Sequence, residues 1–159
     1  MRKLTKLQAS RLGSICLVLL LLCTAAFVFF GRDNKQPFDK TILSRVGFPI
    51  LYPENIPPGY KLNADSVAYS DGILVFEFRK NTQLMTFTEQ ALPQKNLMLE
   101  SIVGLNPVKT ALGTAYIGKA GAAPVAIISG SRTLVNISGD SSTPQDVISQ
   151  MAASLKELD

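Results

Sequence analysis

Residues 62–79 read LNADSVAYSDGILVFEFR, two apolar-patterned runs joined by Asp71–Gly72. Asp-Gly between such runs is a hairpin signal, because the favoured two-residue turn needs positive φ at both central positions. In the return run Leu74, Phe76 and Phe78 share one side and Val75, Glu77 and Arg79 the other, since successive strand side chains point to opposite faces. One face is therefore buried and one wet, as in an antiparallel sheet packed on helices. The fold class that follows is α+β.

Downstream, Lys80–Asn81–Thr82 turns the chain into LMTFTEQAL, where Met85 and Phe87 alternate with Thr86 and Thr88. Glu77 and Glu89 are both expected on wet strand faces. Pro93–Val103 (PQKNLMLESIV) suits a short helix carrying Leu97, Met98, Ile102 and Val103. From Val108 the pattern is β again: VKT, TAYIGK, VAIIS and TLVNIS are separated by Leu112–Gly113, by Gly121 to Pro124 and by Ser129–Gly130–Ser131, which predicts three or four short strands. The last stretch, SSTPQDVISQMAASLKEL (141–158), predicts a helix with Thr143 as N-cap, Pro144 at N1 and Asp146 at N3. Its apolar stripe of Val147, Ile148, Met151, Ala152, Leu155 and Leu158 is expected to cover one face of the sheet.

Upstream, Phe38, Ile42, Leu43 and Val46 fall on one helical face, which predicts an amphipathic helix over about 38–46 ending at Gly47. Phe48–Tyr52 (FPILY) is a strand that Pro49 confines to an edge or a strand start. PENIPPGY (53–60) is a rigid turn, with Pro58–Gly59 at the centre of a type II turn.

Further upstream, Leu12–Phe30 (LGSICLVLLLLCTAAFVFF) holds no charged residue. As a helix its length is roughly 28 Å, close to the roughly 30 Å hydrocarbon core of a bilayer. A cleavable leader would have a shorter apolar run, and cutting after Ala26 would leave FVFF as the new terminus. Ile15 before Cys16 and Leu22 before Cys23 do not suit lipidation, so a retained signal anchor is expected. Arg2, Lys3, Lys6 and Arg11 precede it; they are four of the 16 basic residues, and none of the 12 acidic ones lies among the first 11 positions, so the remainder is neutral. The basic excess is a positive-inside signal rather than a nucleic-acid footprint. The expected organisation is a basic cytoplasmic tail (1–11), a transmembrane segment (12–30), a linker (31–37) and an extracytoplasmic α+β domain (38–159). Both cysteines lie in the apolar segment and the chain has no histidine, which removes the commonest general base and a thiol nucleophile from the exported part.

No motif assembles chemistry. GTAYIGK (113–119) is one hydroxyl short of a phosphate-binding loop: Ala120 stands where Ser or Thr is needed, and Gly121 to Pro124 does not open a helix. Ser129–Gly130–Ser131 lacks the nucleophile-elbow pattern and reads as a two-residue hairpin connection; a Ser–Lys pair with Lys119 or Lys109 is the other way to use it. Glu77, Glu89 and Glu100 are scattered carboxylates rather than an acid–base pair. Asn136–Ile137–Ser138 fits a glycosylation sequon inside a strand. No catalytic, cofactor-binding or metal-binding residue is assigned, and no cofactor is expected.

The pattern of Pro53, Ile56, Pro57, Gly59 and Tyr60, then Val108, Gly113 and Ala115, then Asp146, Val147, Ile148, Met151, Ala152, Ser154 and Leu155 resembles a bacterial membrane-anchored extracytoplasmic domain family of unknown function. That family is related to domains that follow the membrane span in some anti-sigma-factor-like and sporulation-related proteins. Such relatives often carry a tryptophan in the penultimate strand, and this chain has none. The resemblance implies an α+β architecture and brings no active site. Eleven residues before the span hold no cytoplasmic anti-sigma domain, so transcriptional control is not expected to carry over. The functional expectation is a single-pass, N-in membrane protein presenting a non-enzymatic binding or envelope-assembly domain, with the bilayer and an envelope protein as partners and no nucleic acid. Two alternatives are a pilin-like subunit, which needs the first helix to continue past residue 37, and a His/Cys-independent cell-envelope hydrolase. The hydrolase needs a concave pocket holding a lysine or carboxylate of shifted pKa.

Overall fold

Asp71 and Gly72 take φ of +52° and +79°, closing β2 (Lys61–Ser70) onto β3 (Ile73–Lys80) through a two-residue turn. The computed structural model describes residues 36–93 and 104–158. The chain divides into Met1–Gln36 and Pro37–Asp159, and the second unit carries the fold. The expected span 12–30 and the expected helix within 94–103 lie outside the described residues. Among the described residues no helix is long and apolar enough to cross a membrane.

From β3 the chain returns through β4 (Gln83–Ala91), and a second meander follows: β5 (Asn106–Thr110), β6 (Gly113–Ala120), β7 (Ala123–Ser129) and β8 (Thr133–Gly139). The two meanders join where β4 pairs with β8, giving one seven-stranded antiparallel sheet of order β2-β3-β4-β8-β7-β6-β5. At the β2 edge the register shifts between Asn63 and Ala68. There the Ser66 hydroxyl accepts the Glu77 N–H at 2.9 Å and donates to the Asn63 carbonyl at 2.6 Å, so a side chain completes the ladder.

Alternation sends one set of side chains inward along a continuous row. Phe76 lies opposite Phe87, Phe87 opposite Ile137, Ile137 opposite Ala126 and Ala126 opposite Ile117, all buried. Bulk is unevenly shared along it. The β5–β8 half carries Ala115 and Ala126, small enough for the helix α2 (Gln145–Ala153) to pack on that half through Ile148, Met151 and Ala152. The β2–β4 half carries Phe76, Phe78 and Phe87, and its cover is aromatic. Phe38 meets the Phe76 ring edge-on at 5.0 Å, and Tyr52 lies 5.7 Å from Phe78.

The cover differs from expectation in three places. The helix expected over about 38–46 is a single turn, α1 (Lys40–Leu43), with Asp39 as its N-cap accepting from the Thr41 N–H at 2.7 Å. Phe38 precedes it and is buried in its own right. Residues 36–39 are non-helical, so no unbroken helix runs through Pro37. The second difference concerns the ends of the terminal helix. Pro144, not Thr143, takes the N-cap position, with ψ of 143° and no side-chain cap bond, so Asp146 remains in the first turn but Thr143 is freed for another role. At the other end the helix stops at Ala153, and Leu155–Glu157 forms a strand, β9, paired antiparallel with β1 (Leu51–Pro53). The Leu158 N–H completes the ribbon on the Ile50 carbonyl at 2.8 Å. Leu155 is buried all the same. The strand succeeds where a further helical turn was expected because β1 offers unpaired backbone groups that a neighbouring strand satisfies. The third difference is the β7–β8 connection, which has three residues, Gly130–Arg132, rather than two.

The PENIPPGY turn agrees with its reading. Gly59 has φ of +86°, and the Tyr60 N–H donates to the Pro57 carbonyl at 3.1 Å, the bond of a type II turn with Pro58 and Gly59 at its centre.

Candidate functional site

The β1–β9 ribbon lies on the inward face of the sheet instead of extending it, so its backbone finds no strand of that sheet to pair with. A buried N–H or C=O without a partner is costly. Two inward-pointing polar side chains supply the partners. Glu89 accepts the Leu51 N–H on Oε2 at 3.0 Å, and the Thr133 hydroxyl donates to the Pro49 carbonyl at 2.5 Å. Leu51 also packs its side chain against Gly130, where an added Cβ would stand 3.2 Å from Leu51 Cδ1. The third buried polar residue, Thr143, does similar work at the far end of β4. Its hydroxyl lies 3.2 Å from the Leu84 carbonyl and 2.9 Å from Asp140 Oδ1.

Glu89 is the unusual member. It sits in a row between Leu74 and Val135, fully buried. Its Oε1 has no hydrogen-bond partner. Burial pushes its carboxyl up to about 8, opposed only by the Leu51 N–H, as expected where water is removed from an ionisable acid. The expectation that Glu89 lies on a wet face is therefore overturned. Met85, Phe87 and Glu89 share one parity, and both apolar members are buried, so period-two alternation would have found it. What hid it is the rule that a carboxylate belongs in water, which the ribbon overrides by excluding water from that end of the face.

At the other end of the ribbon lies a surface groove of about 670 Å³. Leu155 lies along its floor, Ile56, Ala111 and Ala153 add apolar wall, and Glu54 pairs with Lys156 at 2.6 Å on the rim. Ile56 is one of two large apolar residues left exposed among the described residues. The floor is set by tertiary contacts: the Glu54 N–H donates to the Ser154 carbonyl at 2.9 Å, tying the PENIPPGY turn to the end of α2. Among the described residues β9 pairs with β1 alone, so its second edge has no strand beside it.

The remaining singled-out residues stay apart. GTAYIGK forms strand β6, with Gly118 in its interior beneath Leu105, and no loop forms there. Ser129 ends β7, Lys109 and Lys119 are exposed on β5 and β6, and Glu77 accepts from Arg79 at 3.0 Å on the wet face. Asn136 is exposed on β8, and Glu100 lies outside the described residues. Glu89 is not among the residues that line the groove. Among the described residues no three acidic, His or Cys side chains are grouped to hold a metal ion.

A second carboxylate escaped the sequence reading. Asp140, just past β8, accepts from the Leu84 N–H at 2.7 Å, the Ser142 hydroxyl at 2.7 Å and the Ser142 N–H at 2.9 Å. These bonds, led by the Ser142 hydroxyl, hold its carboxyl down to about 2. It fastens the turn that launches α2.

No family model and no curated protein matches this chain. Among solved structures, the crystal structure of MucB in complex with MucA(peri) is similar at 13% identity and a TM-score of 0.43, over 69% of this chain and 36% of that one. The matched part is thus little more than a third of that chain's length, and a likeness at this level transfers no partner or activity.

Proposed function

We propose that the chain is a membrane-tethered, non-enzymatic binding domain of the extracytoplasmic face, which takes an extended segment of an envelope protein along the groove beside β9. The observation that carries this reading is a groove lined by Leu155 and Lys156 of β9 and by exposed Ile56, together with a second edge of β9 that has no strand beside it among the described residues. An extended peptide there gains main-chain hydrogen bonds from the strand edge and buries apolar side chains against the wall. The uncharged run Leu12–Phe30 and the four basic residues before it support the tether and its orientation.

The test is a photo-crosslinking residue at position 56 in intact cells, with position 82 in the β3–β4 turn as reference. The expected result is a discrete adduct from position 56, absent from position 82 and lost on Ala153→Arg, which puts a long charged side chain into the groove. The same adducts from both positions, or an adduct indifferent to Ala153→Arg, would remove the groove from consideration.

A further inference from the structure

The ribbon needs one hydrogen-bond acceptor from β4, for the Leu51 N–H. A glutamine or a threonine would provide that acceptor without carrying an ionisable proton into the core. The chain instead uses a carboxyl that is fully buried and leaves Oε1 without a partner. The protonated group is neutral and can stay there. The ionised group is a charge in an apolar row, stabilised by one backbone N–H, a state that burial strongly disfavours.

Among the described residues no countercharge faces the carboxyl. Tyr52 on β1, Tyr60 ahead of β2 and Tyr69 on β2 are the titratable side chains that join Glu89 among the buried and half-buried groups of the described core; burial holds the Tyr52 hydroxyl up to about 12 and raises that of Tyr60, so both stay neutral. Arg45 is occupied over the Tyr69 ring, 5.7 Å from its centroid. Arg132 before β8, and Lys156 and Glu157 on β9, are exposed. Burial and the Leu51 N–H are the influences on Glu89. What separates it from water is the ribbon, and the ribbon is a thin cover: three residues of β1 and three of β9.

We propose that Glu89 is a proton-operated fastener of the β1–β9 ribbon: protonated, it holds the ribbon on the sheet, and ionised, it favours the ribbon lifting so that water reaches the carboxylate. Because Leu155 and Lys156 of β9 line the groove, lifting also dismantles the groove, a consequence that rests on the binding role proposed above. The direction is fixed by linkage. The folded carboxyl titrates near 8 and an exposed one near 4.5, so the closed ribbon is fully favoured below the lower value. Its advantage falls about tenfold for each pH unit between the two and levels off above the higher one.

The test is amide hydrogen exchange of the full-length chain in lipid nanodiscs from pH 5 to 9, corrected for the intrinsic effect of pH on exchange. Expected are ribbon amides (50–52 and 155–158) that exchange faster than those of Ala126–Ile128 at every pH. Their protection should fall about tenfold per unit from pH 5 to 8 and then level off, and Glu89→Gln should abolish that slope. A pH-independent ribbon, a slope that survives in Glu89→Gln, or ribbon protection equal to that of Ala126–Ile128 throughout would overturn the proposal. If the variant does not fold, the contrast within the wild-type chain decides alone. No partner enters this measurement, so its failure leaves the groove reading standing, and failure of the crosslinking leaves the fastener standing.

Discussion

The backbone N–H of Leu51 donates to the carboxylate of Glu89 across 3.0 Å, joining two residues 38 positions apart in the chain. That bond replaces the ladder bond a strand would have made, and it puts an acid where the sheet is otherwise apolar. Replacing Glu89 with glutamine keeps an acceptor and removes the charge. At pH 5, where the carboxyl is protonated, Glu89→Gln should melt close to wild type. At pH 8 to 9 it should melt higher, because the wild-type domain loses stability as pH rises from about 4.5 toward about 8. Thermal unfolding of both chains at these pH values checks the divergence; parallel curves would mean the carboxyl is not buried in solution.

Asp140 should act in the opposite direction. Its folded carboxyl is held near 2 against an ordinary value of 3.8, so its contribution is present above the ordinary value and lost as pH falls toward 2. Asp140→Ala leaves the Leu84 N–H without its 2.7 Å acceptor and unties Ser142. A cost of about 1–3 kcal/mol is expected at pH 7, shrinking at pH 2. Denaturant midpoints at the two pH values measure both, and an equal loss at each would contradict the assignment.

Two glycines should respond to substitution for different reasons. Gly59→Val forces a β-branched residue to φ of +86° and crowds the Lys80 chain, whose Cε would lie 3.1 Å from the new Cβ. About 1–3 kcal/mol should be lost. Gly139→Ala is a packing problem, since its Cβ would stand 2.7 Å from Thr143 Cβ and 3.0 Å from Pro124 Cγ. A loss of about 1–3 kcal/mol is expected there as well. Gly47→Ala, with open space around it, should be neutral within about 0.5 kcal/mol and serves as the reference.

Leu155 and Lys156 are neighbours in β9 with opposite surroundings. Leu155 is 1% exposed, and Lys156 makes an ion pair with Glu54 at 62% and 53% side-chain exposure. Leu155→Ala should cost about 2–5 kcal/mol and Lys156→Ala no more than about 1 kcal/mol. Equal denaturant midpoints for the two variants would show that β9 is not docked on the core.

The proposed tether has a test of its own. External protease on intact cells should remove the domain and spare the N-terminus, and replacing Arg2, Lys3, Lys6 and Arg11 with neutral residues should weaken that orientation. A C-terminal tag protected until lysis would reverse the topology.

Local signals carried the sheet. Asp71–Gly72, the alternation of Leu74, Phe76 and Phe78, and the turn at Pro58–Gly59 depend on residues close in sequence, and each formed as read. The apolar positions of the terminal segment were legible too: Ile148, Met151, Ala152 and Leu155 are all buried. What periodicity does not encode is which element buries them. Leu155 satisfies a helical stripe and a strand equally well, and the unpaired edge of β1, a hundred residues earlier, decides for the strand. Glu89 shows the same limit more sharply. Its parity places it inward, its charge argues outward, and the outcome depends on a ribbon assembled from both ends of the domain that shields it and offers the Leu51 N–H in place of water. Sequence determines what each residue prefers through its neighbours in the chain, whereas burial of a charge depends on distant segments meeting, and that is settled only when the fold closes.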